Sequence, residues 1–538
     1  MKTFKTTFQL ILIIVILLIN SDTSYSSSRF NMSYLHYGSP KSYLSYINDT
    51  DNSLDCVSPN YLDINSNGDL EINNIDRKLI KEVHDKGMKV TPFLSNHWDR
   101  NAGELALDKK EELVEQIVTI IEDNDFDGIN VDIENLDGES KEAFTAFIQL
   151  LRQNLQEDKE ICVAVAANPY GSDKGWQGMY DYKALSEYSD YLMIMTYDES
   201  YGGSDPGPVA SMSFVENSIK YAIKAGIPSH KILLGIPFYG RIWNINDIDN
   251  DEKENRIIGK GIPASTINLL LAFYDATVTY DDTSKSMKAN FVVETDDEKK
   301  DLYSWGVPVT EGNYEIWFDD NFTIKEKLKL VEKYDLKGTG SWSLGQENKD
   351  IWKYYKSWLN GDYFNDIENH WAEDDILSVY NKDWMRGISS TQFGPFDNLT
   401  RAQAAVTIVR ALDIDLINST SHFTDVKDSH WAKTEIETAY HNNIINGKGN
   451  DVFDPDNIIT RQEMAQMLTN IIDKDLPEIT EENGFTDIDE DDWSYEAIIK
   501  MNRYGIFKGF NDNTFRPEEK VTRAQMASIL NRFSTYIH

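Results

Sequence analysis

Phe126-Asp127-Gly128-Ile129-Asn130-Val131-Asp132-Ile133-Glu134 alternates apolar and polar side chains from Gly128 onward. Residues two apart on a strand share a face. Ile129, Val131 and Ile133 are therefore predicted to meet covering helices, while Gly128, Asn130, Asp132 and Glu134 point into the interior of a barrel. Three polar side chains in a row on an interior face cost several kcal/mol unless they are hydrogen-bonded or used. Active sites of such barrels lie at the carboxyl ends of the strands, so use is the better explanation.

Working outward, short apolar runs alternate with longer amphipathic stretches from about residue 29 to 360. The predicted strands are Met32–Tyr37, Leu54–Val57, Lys89–Leu94, Phe126–Glu134, Ile161–Ala167, Tyr191–Tyr197, Ile232–Phe238 and Gly338–Leu344. Between them, Glu111–Ile121 places Leu113, Ile117, Ile120 and Ile121 on one helical face. Eight strands with helical crossovers predict an α/β fold, a (β/α)₈ TIM barrel. The long segment 244–315 holds the alternating stretches Thr277–Tyr280 and Ala289–Val293, which predict a small α+β insertion walling the cleft.

The 538 residues exceed one ordinary domain, and a 41% apolar share supports real cores. A formal charge of −38 repels phosphate backbones and argues against nucleic acid as a partner. Generic solubilising charge accounts for it equally well. Lys2 and Lys5 precede an apolar run, Leu10–Ile19, and then a polar, small-residue stretch, which reads as a signal peptide over 1–28. The run is shorter than the ~20 residues needed to span a bilayer, although an uncleaved anchor stays open as the alternative. Once the peptide is cleaved, no membrane span is expected. Cys56 and Cys162 sit in strand-like runs and read as buried free thiols.

Beyond residue 360 the chain repeats. Trp371, Trp431 and Trp493 are 60 and 62 residues apart, and the same register holds for Gly387, Gly447 and Gly509, for Phe393, Phe453 and Phe515, and for Arg401, Arg461 and Arg523. Such agreement marks a three-fold internal repeat, with units at 361–415, 420–475 and 482–538. Each reads as a helix after the Trp, a Gly-containing loop, then a Thr-Arg pair opening a second helix. Thr400, Thr460 and Thr522 are placed as N-caps. The three tryptophans are expected to be packing anchors.

The stretch Asp127–Glu134 resembles the Asp-x-x-Asp-x-Asp-x-Glu signature of glycoside hydrolase family 18. Met195-Thr196-Tyr197-Asp198 is similar to that family's sixth-strand motif, and Gly340-Ser341-Trp342-Ser343 to its eighth. The resemblance implies that Glu134 is the acid, that Asp132 orients the substrate's 2-acetamido group, which is itself the nucleophile, and that Tyr197 hydrogen-bonds the acetamido oxygen. It implies further that Trp342 floors a sugar subsite, with Asp127, Asn130, Asp198, Trp98 and Asn168 as substrate-binding residues. A substrate-supplied nucleophile is a recognised exception to the two-carboxylate scheme. Asn130 replaces the usual middle Asp, which removes a like-charge neighbour from Asp132 and should let it ionise more readily.

Asn130, Ser95-Asn96-His97-Trp98-Asp99-Arg100 and Gly203-Ser204-Asp205-Pro206-Gly207-Pro208 resemble the subgroup that includes spore-cortex-lytic and peptidoglycan N-acetylglucosaminidases. That leans the substrate toward peptidoglycan and away from chitin. The wall-binding LysM modules common in that subgroup are not visible here. His97 has no partner His at metal-binding spacing and reads as a cleft or structural residue. Neither a metal nor a cofactor is called for.

The C-terminal units resemble S-layer homology modules. Their Thr-Arg-Ala-Glu hallmark stands here as Thr400-Arg401-Ala402-Gln403, Thr460-Arg461-Gln462-Glu463 and Thr522-Arg523-Ala524-Gln525. The resemblance implies binding of a secondary cell-wall polysaccharide through Arg401, Arg461 and Arg523, an Arg at a helix N-terminus being a good ligand for an acidic glycan. The reading that results is a secreted hydrolase attached to the cell wall or S-layer of a bacterium. A chitinase is the alternative among enzymes, and a catalytically silent glycan-binding wall protein the alternative outside them.

Overall fold

The computed structural model describes residues 28–246, 248–249, 256–294, 303–304, 307–472 and 484–536. The expected signal peptide, apart from Ser28, and parts of the expected insertion lie outside these residues.

The N-terminal region is a barrel-like α/β arrangement. Parallel strands Phe30–Leu35, Cys56–Pro59, Lys89–Val90, Phe93–Ser95, Gly128–Asp132, Glu160–Ala166, Tyr191–Met195, Ile232–Pro237 and Gly338–Trp342 belong to one sheet. Helices such as Lys110–Asp123 and Lys141–Asn154 cover them. Cys56 and Val57 pair with Lys89–Val90, whereas Phe93–Ser95 pairs with Asn130–Asp132. Only Thr91 and Pro92 separate these two pieces, and Pro92 has no N–H to give a ladder.

The alternation in the opening stretch is realised. Ile129, Val131 and Ile133 are buried among helix residues that include Ile117, Ile121 and Phe144. The opposite face of the sheet packs Met32, Tyr34, Cys56, Phe93, Cys162, Tyr191 and Met193 into a separate cluster. Cys56 and Cys162 are buried and unbridged.

Between the strands Ile232–Pro237 and Gly338–Trp342 lies a second, antiparallel sheet. Its strands run in the order Lys260–Pro263, Tyr239–Asn244, Gly312–Phe318, Ser286–Val293 and Thr277–Asp281. The helix Ala264–Phe273 packs Ile267 and Leu270 against it.

The C-terminal region is mostly helical. Thr400, Thr460 and Thr522 cap the helices Arg401–Ala411, Arg461–Thr469 and Arg523–Phe533, each in a reciprocal capping box with Gln403, Glu463 or Gln525. The three tryptophans are not packing anchors: Trp371, Trp431 and Trp493 are 64%, 60% and 62% exposed. They sit just before the helices Glu373–Asn381, Lys433–His441 and Tyr495–Arg503, and two of them lie against the preceding imidazole, His370 or His430. Among the described residues no helix is long and apolar enough to cross a membrane.

Candidate active site

At the carboxyl ends of the parallel strands, Asp132, Glu134, Tyr197, Asp198 and Trp342 line one pocket of about 310 Å³. That lies at the small end of ligand clefts. Tyr37, Met195, Tyr239, Arg241 and Gln346 complete much of the wall, and the insertion adds Gly261 and Pro263. Five residues named from the sequence thus converge from three separate strands.

Glu134 lies just past the strand Gly128–Asp132. Burial first, then the charges of Asp132 and Asp198, push its carboxyl well above the usual carboxylate range. A carboxyl kept neutral near pH 7 can give a proton to a leaving group. Asp132 is 5% exposed. Burial raises it to about 7, with His97 pulling the other way. The missing like charge at position 130 therefore does not leave Asp132 an ordinary, readily ionised carboxylate, because desolvation dominates. Its Oδ1 meets no hydrogen-bond donor among the described residues.

Burial and the neighbouring Asp132, Glu134 and Asp198 hold the Tyr197 phenol far above its ordinary value, so it stays a donor. Asp198 has φ +57° and accepts from Arg241 Nη2 at 2.5 Å. Trp342 stands among Tyr34, His36 and Phe93, with ring centroids 5.1, 5.2 and 6.1 Å away. The Trp342–Ser343 peptide is cis.

Four other expected residues are placed elsewhere. Asp127 sits at the amino end of its strand, some 20 Å from Glu134 at ~3.3 Å per residue. There it accepts from the Val90 N–H at 2.7 Å and contacts His84 Nε2 at 2.9 Å, so it closes the far end of the sheet and does not reach the pocket. Asn168 spends both ends of its amide on Ser172, at 2.7 and 2.8 Å, and is buried. It shapes a turn there and does not line the pocket. Asn130 is fully buried in the sheet interior beside Met32, a layer below the pocket. Trp98 is half exposed on the rim, edge-on to Trp176 at 5.0 Å. His97 Nε2 lies 2.8 Å from Asp63 Oδ1. Tyr239 and Arg241 escaped notice in the sequence because Tyr239–Asn244 follows so directly on Ile232–Pro237. An Arg two residues after a Tyr, at the mouth of a barrel strand, was the available signal.

In the C-terminal region Arg401, Arg461 and Arg523 are at most 9% exposed. Their Nε atoms donate to the carbonyls of Phe453, Phe515 and Phe393 at 2.9, 2.8 and 2.8 Å. Their guanidinium planes lie over the rings of the same phenylalanines. Each arginine is thus engaged in joining one unit to another, and Arg401 also lines a groove. A groove beside Arg401 is lined by Lys448, Glu463, Trp493, Glu518 and Lys520.

Residues 37–347 match the family model for glycosyl hydrolases family 18. The chain belongs to that family. Residues 363–405, 422–465 and 484–527 match the S-layer homology domain. An uncharacterized glycosylase of Bacillus subtilis is 27% identical over 45% of this chain and 64% of its own length. A cortical fragment-lytic enzyme of the same organism is 28% identical over 45% of this chain and 52% of its own. The chain thus spans less than two thirds of the length of these two relatives. The crystal structure of the C-terminal domain of a putative chitinase from Desulfitobacterium hafniense superposes with a TM-score of 0.54, at 26% identity, covering 62% of this chain and 99% of that one.

Proposed function

We propose that this family 18 protein is an envelope-attached glycosidase that cleaves β-linked N-acetylglucosamine polymers, peptidoglycan before chitin, by a retaining, substrate-assisted reaction. One observation carries the chemistry. The pocket holds Glu134, whose carboxyl burial pushes well above the usual range, a buried Asp132, and a third carboxylate, Asp198, paired with Arg241. Asp132 lies two residues before Glu134 and lines the same pocket, an arrangement that suits an acid and a stabilising carboxylate beside a nucleophile supplied by the substrate's acetamide.

In this mechanism the Glu134 O–H gives its proton to the glycosidic oxygen as the bond from that oxygen to C1 breaks. The acetamide carbonyl oxygen forms a bond to C1, and ionised Asp132 stabilises the positive charge that builds on the acetamide. Tyr197 donates to the acetamido oxygen, and Trp342 floors the sugar. Water, giving a proton back to Glu134, then bonds to C1 as the bond from the acetamide oxygen to C1 breaks, so the configuration at C1 is retained.

The same reading takes the parallel strands as a closed (β/α)₈ barrel over 29–360. Its support is that two pieces of one stretch, Lys89–Val90 and Phe93–Ser95, pair with strands from opposite sides of the sheet, Cys56–Pro59 and Gly128–Asp132. It takes the three C-terminal units as a ring whose grooves hold a wall polysaccharide, supported by the groove beside Arg401 and the exposed Trp493. Export follows from the N-terminal pattern. The similarity to the cortical fragment-lytic enzyme favours peptidoglycan, and the likeness to the putative chitinase domain keeps chitin as the second reading.

Product release from purified peptidoglycan and from N-acetylglucosamine oligomers tests the proposal. Glu134→Gln is expected to lower turnover about 10³-fold. Equal behaviour of the two proteins would leave a glycan-binding wall protein instead. Rapid cleavage of oligomers with intact peptidoglycan would select the chitinase reading. For attachment, the full-length Glu134→Gln chain should sediment with sacculi that retain their polysaccharide and stay in solution with stripped ones. Failure to sediment with either overturns that part.

A further inference from the structure

Glu134 stands one step outside the regular ladder, since its strand ends at Asp132 and Asn135 turns away with φ +63°. Its backbone is held instead by a side chain. Asn96 Oδ1 accepts from the Glu134 N–H at 2.8 Å, and Asn96 Nδ2 donates to the Glu134 carbonyl at 2.8 Å. The second Nδ2 hydrogen goes to the Asp99 carbonyl at 2.9 Å. One amide therefore pins both polar backbone groups of one residue, and the third bond fixes which end of the amide is which.

The pin is itself immobile. Asn96 is 1% exposed. A Cβ on Gly103 would stand 2.9 Å from Asn96 Nδ2 and 2.6 Å from Leu136 Cδ1, so the helix Arg100–Asp108 presses on it without slack. Flanking bonds repeat the pattern: Asn135 Nδ2 donates to the Trp98 carbonyl at 2.8 Å and Arg100 Nε to the Asn135 carbonyl at 3.0 Å. Segment 96–100 forms a cradle for segment 134–137.

We infer that Asn96 is a positioning residue for the proton donor, setting the aim of the Glu134 carboxyl by clamping its backbone. The inference rests on Glu134 being the acid. Acid catalysis needs the carboxyl within hydrogen-bond reach of the leaving oxygen, and a displacement near 1 Å can cost about 100-fold. The titratable groups that share the pocket with Glu134 are Asp132 on its own strand, Tyr37 after the first strand, Tyr197 and Asp198 after the next strand but one, and Tyr239 and Arg241 from the insertion sheet. Tyr180 also lies close enough to feel its charge. None of them holds the Glu134 backbone.

The test measures kcat, KM and the pH profile on an N-acetylglucosamine tetramer for full-length wild type, Glu134→Gln, Asn96→Ala and Asn96→Asp, each checked for folding by circular dichroism. Asn96→Ala is expected to lower kcat about 30- to 100-fold, with KM changing less than about 3-fold. Asn96→Asp keeps the shape but sets a carboxylate against two carbonyls and near Glu134. It should lower kcat and move the alkaline limb of the profile to higher pH. If Asn96→Ala does not fold, the Asn96→Asp profile decides alone. Unchanged kcat and pH profile in folded Asn96 variants, with Glu134→Gln inactive, would overturn the positioning role and leave the acid in place. An active Glu134→Gln would overturn the acid itself.

Discussion

Two buried carboxyls, Asp132 and Glu134, are held above their ordinary range mainly by desolvation. The unfolded chain ionises both near pH 4. The folded chain keeps its protons until the raised values are passed, so over that interval the unfolded state binds fewer protons and stability falls as pH rises. For Asp132 the interval runs from about 4 to about 7. Glu134→Gln removes one of these costs. It is expected to raise the thermal midpoint of the α/β region by about 2–4 °C at pH 7.5 and to leave it nearly unchanged at pH 4. Calorimetry at the two pH values checks this, and a gain confined to the acid side would contradict the burial argument. The alternation of the signature was enough to assign these side chains to the inner face, because a period of two is a local property. It could not show that Asp127, seven residues earlier, belongs to the opposite end. That depends on His84 and Val90, which the fold brings in from some 40 residues away.

The strands that carry the site depend on close backbone approach at their starts. Gly128 pairs with Glu160, and a Cβ there would lie 2.0 Å from the Glu160 carbonyl oxygen, a backbone atom that cannot step aside. Gly128→Ala should therefore split this pair of strands at its base, costing about 2–4 kcal/mol. Denaturant unfolding is expected to shift by that amount, with turnover per folded molecule nearly preserved because Glu134 is at the other end. Most strand positions were legible to within a residue or two, as the apolar runs are bounded by Asp, Gly and Pro. The insertion was less so. Its first strand, Tyr239–Asn244, continues almost directly from Ile232–Pro237, and only antiparallel pairing with Gly312–Phe318 reveals it as part of another sheet. No local pattern encodes a partner about 70 residues away.

At the scale of the whole molecule, the last C-terminal unit bonds back to the first, and the C-terminal region meets the α/β region. Lys356 Nζ reaches Asp383 Oδ2 and the Asn381 carbonyl at 2.7 Å each, while Asn381 Nδ2 donates to Asp51 at 2.9 Å. The repeat was plain in the sequence, yet the work of its arginines was not. An Arg at a helix N-terminus suggests an anion site locally, whereas the true partners of Arg401, Arg461 and Arg523 are 52, 54 and 130 residues away. The longest of these joins the last unit to the first. Arg523 Nε bonds the Phe393 carbonyl, its Nη2 bonds the Arg386 carbonyl, and its backbone N–H bonds the Asp397 carbonyl at 2.8 Å. Arg523→Ala strands two carbonyls and removes the stacking on Phe393, an expected loss of about 3 kcal/mol. Lysine cannot rescue it, because a single ammonium lacks the planar fork that meets both carbonyls while lying on a ring. Calorimetry on the full chain should then show the C-terminal transition lowered in Arg523→Ala and Arg523→Lys alike. Sedimentation with sacculi should weaken, while turnover of a soluble oligomer stays at the wild-type level because the pocket around Glu134 shares no residue with the C-terminal region. Full rescue by lysine would mean that charge alone, and not the closed geometry, holds the first and last units together.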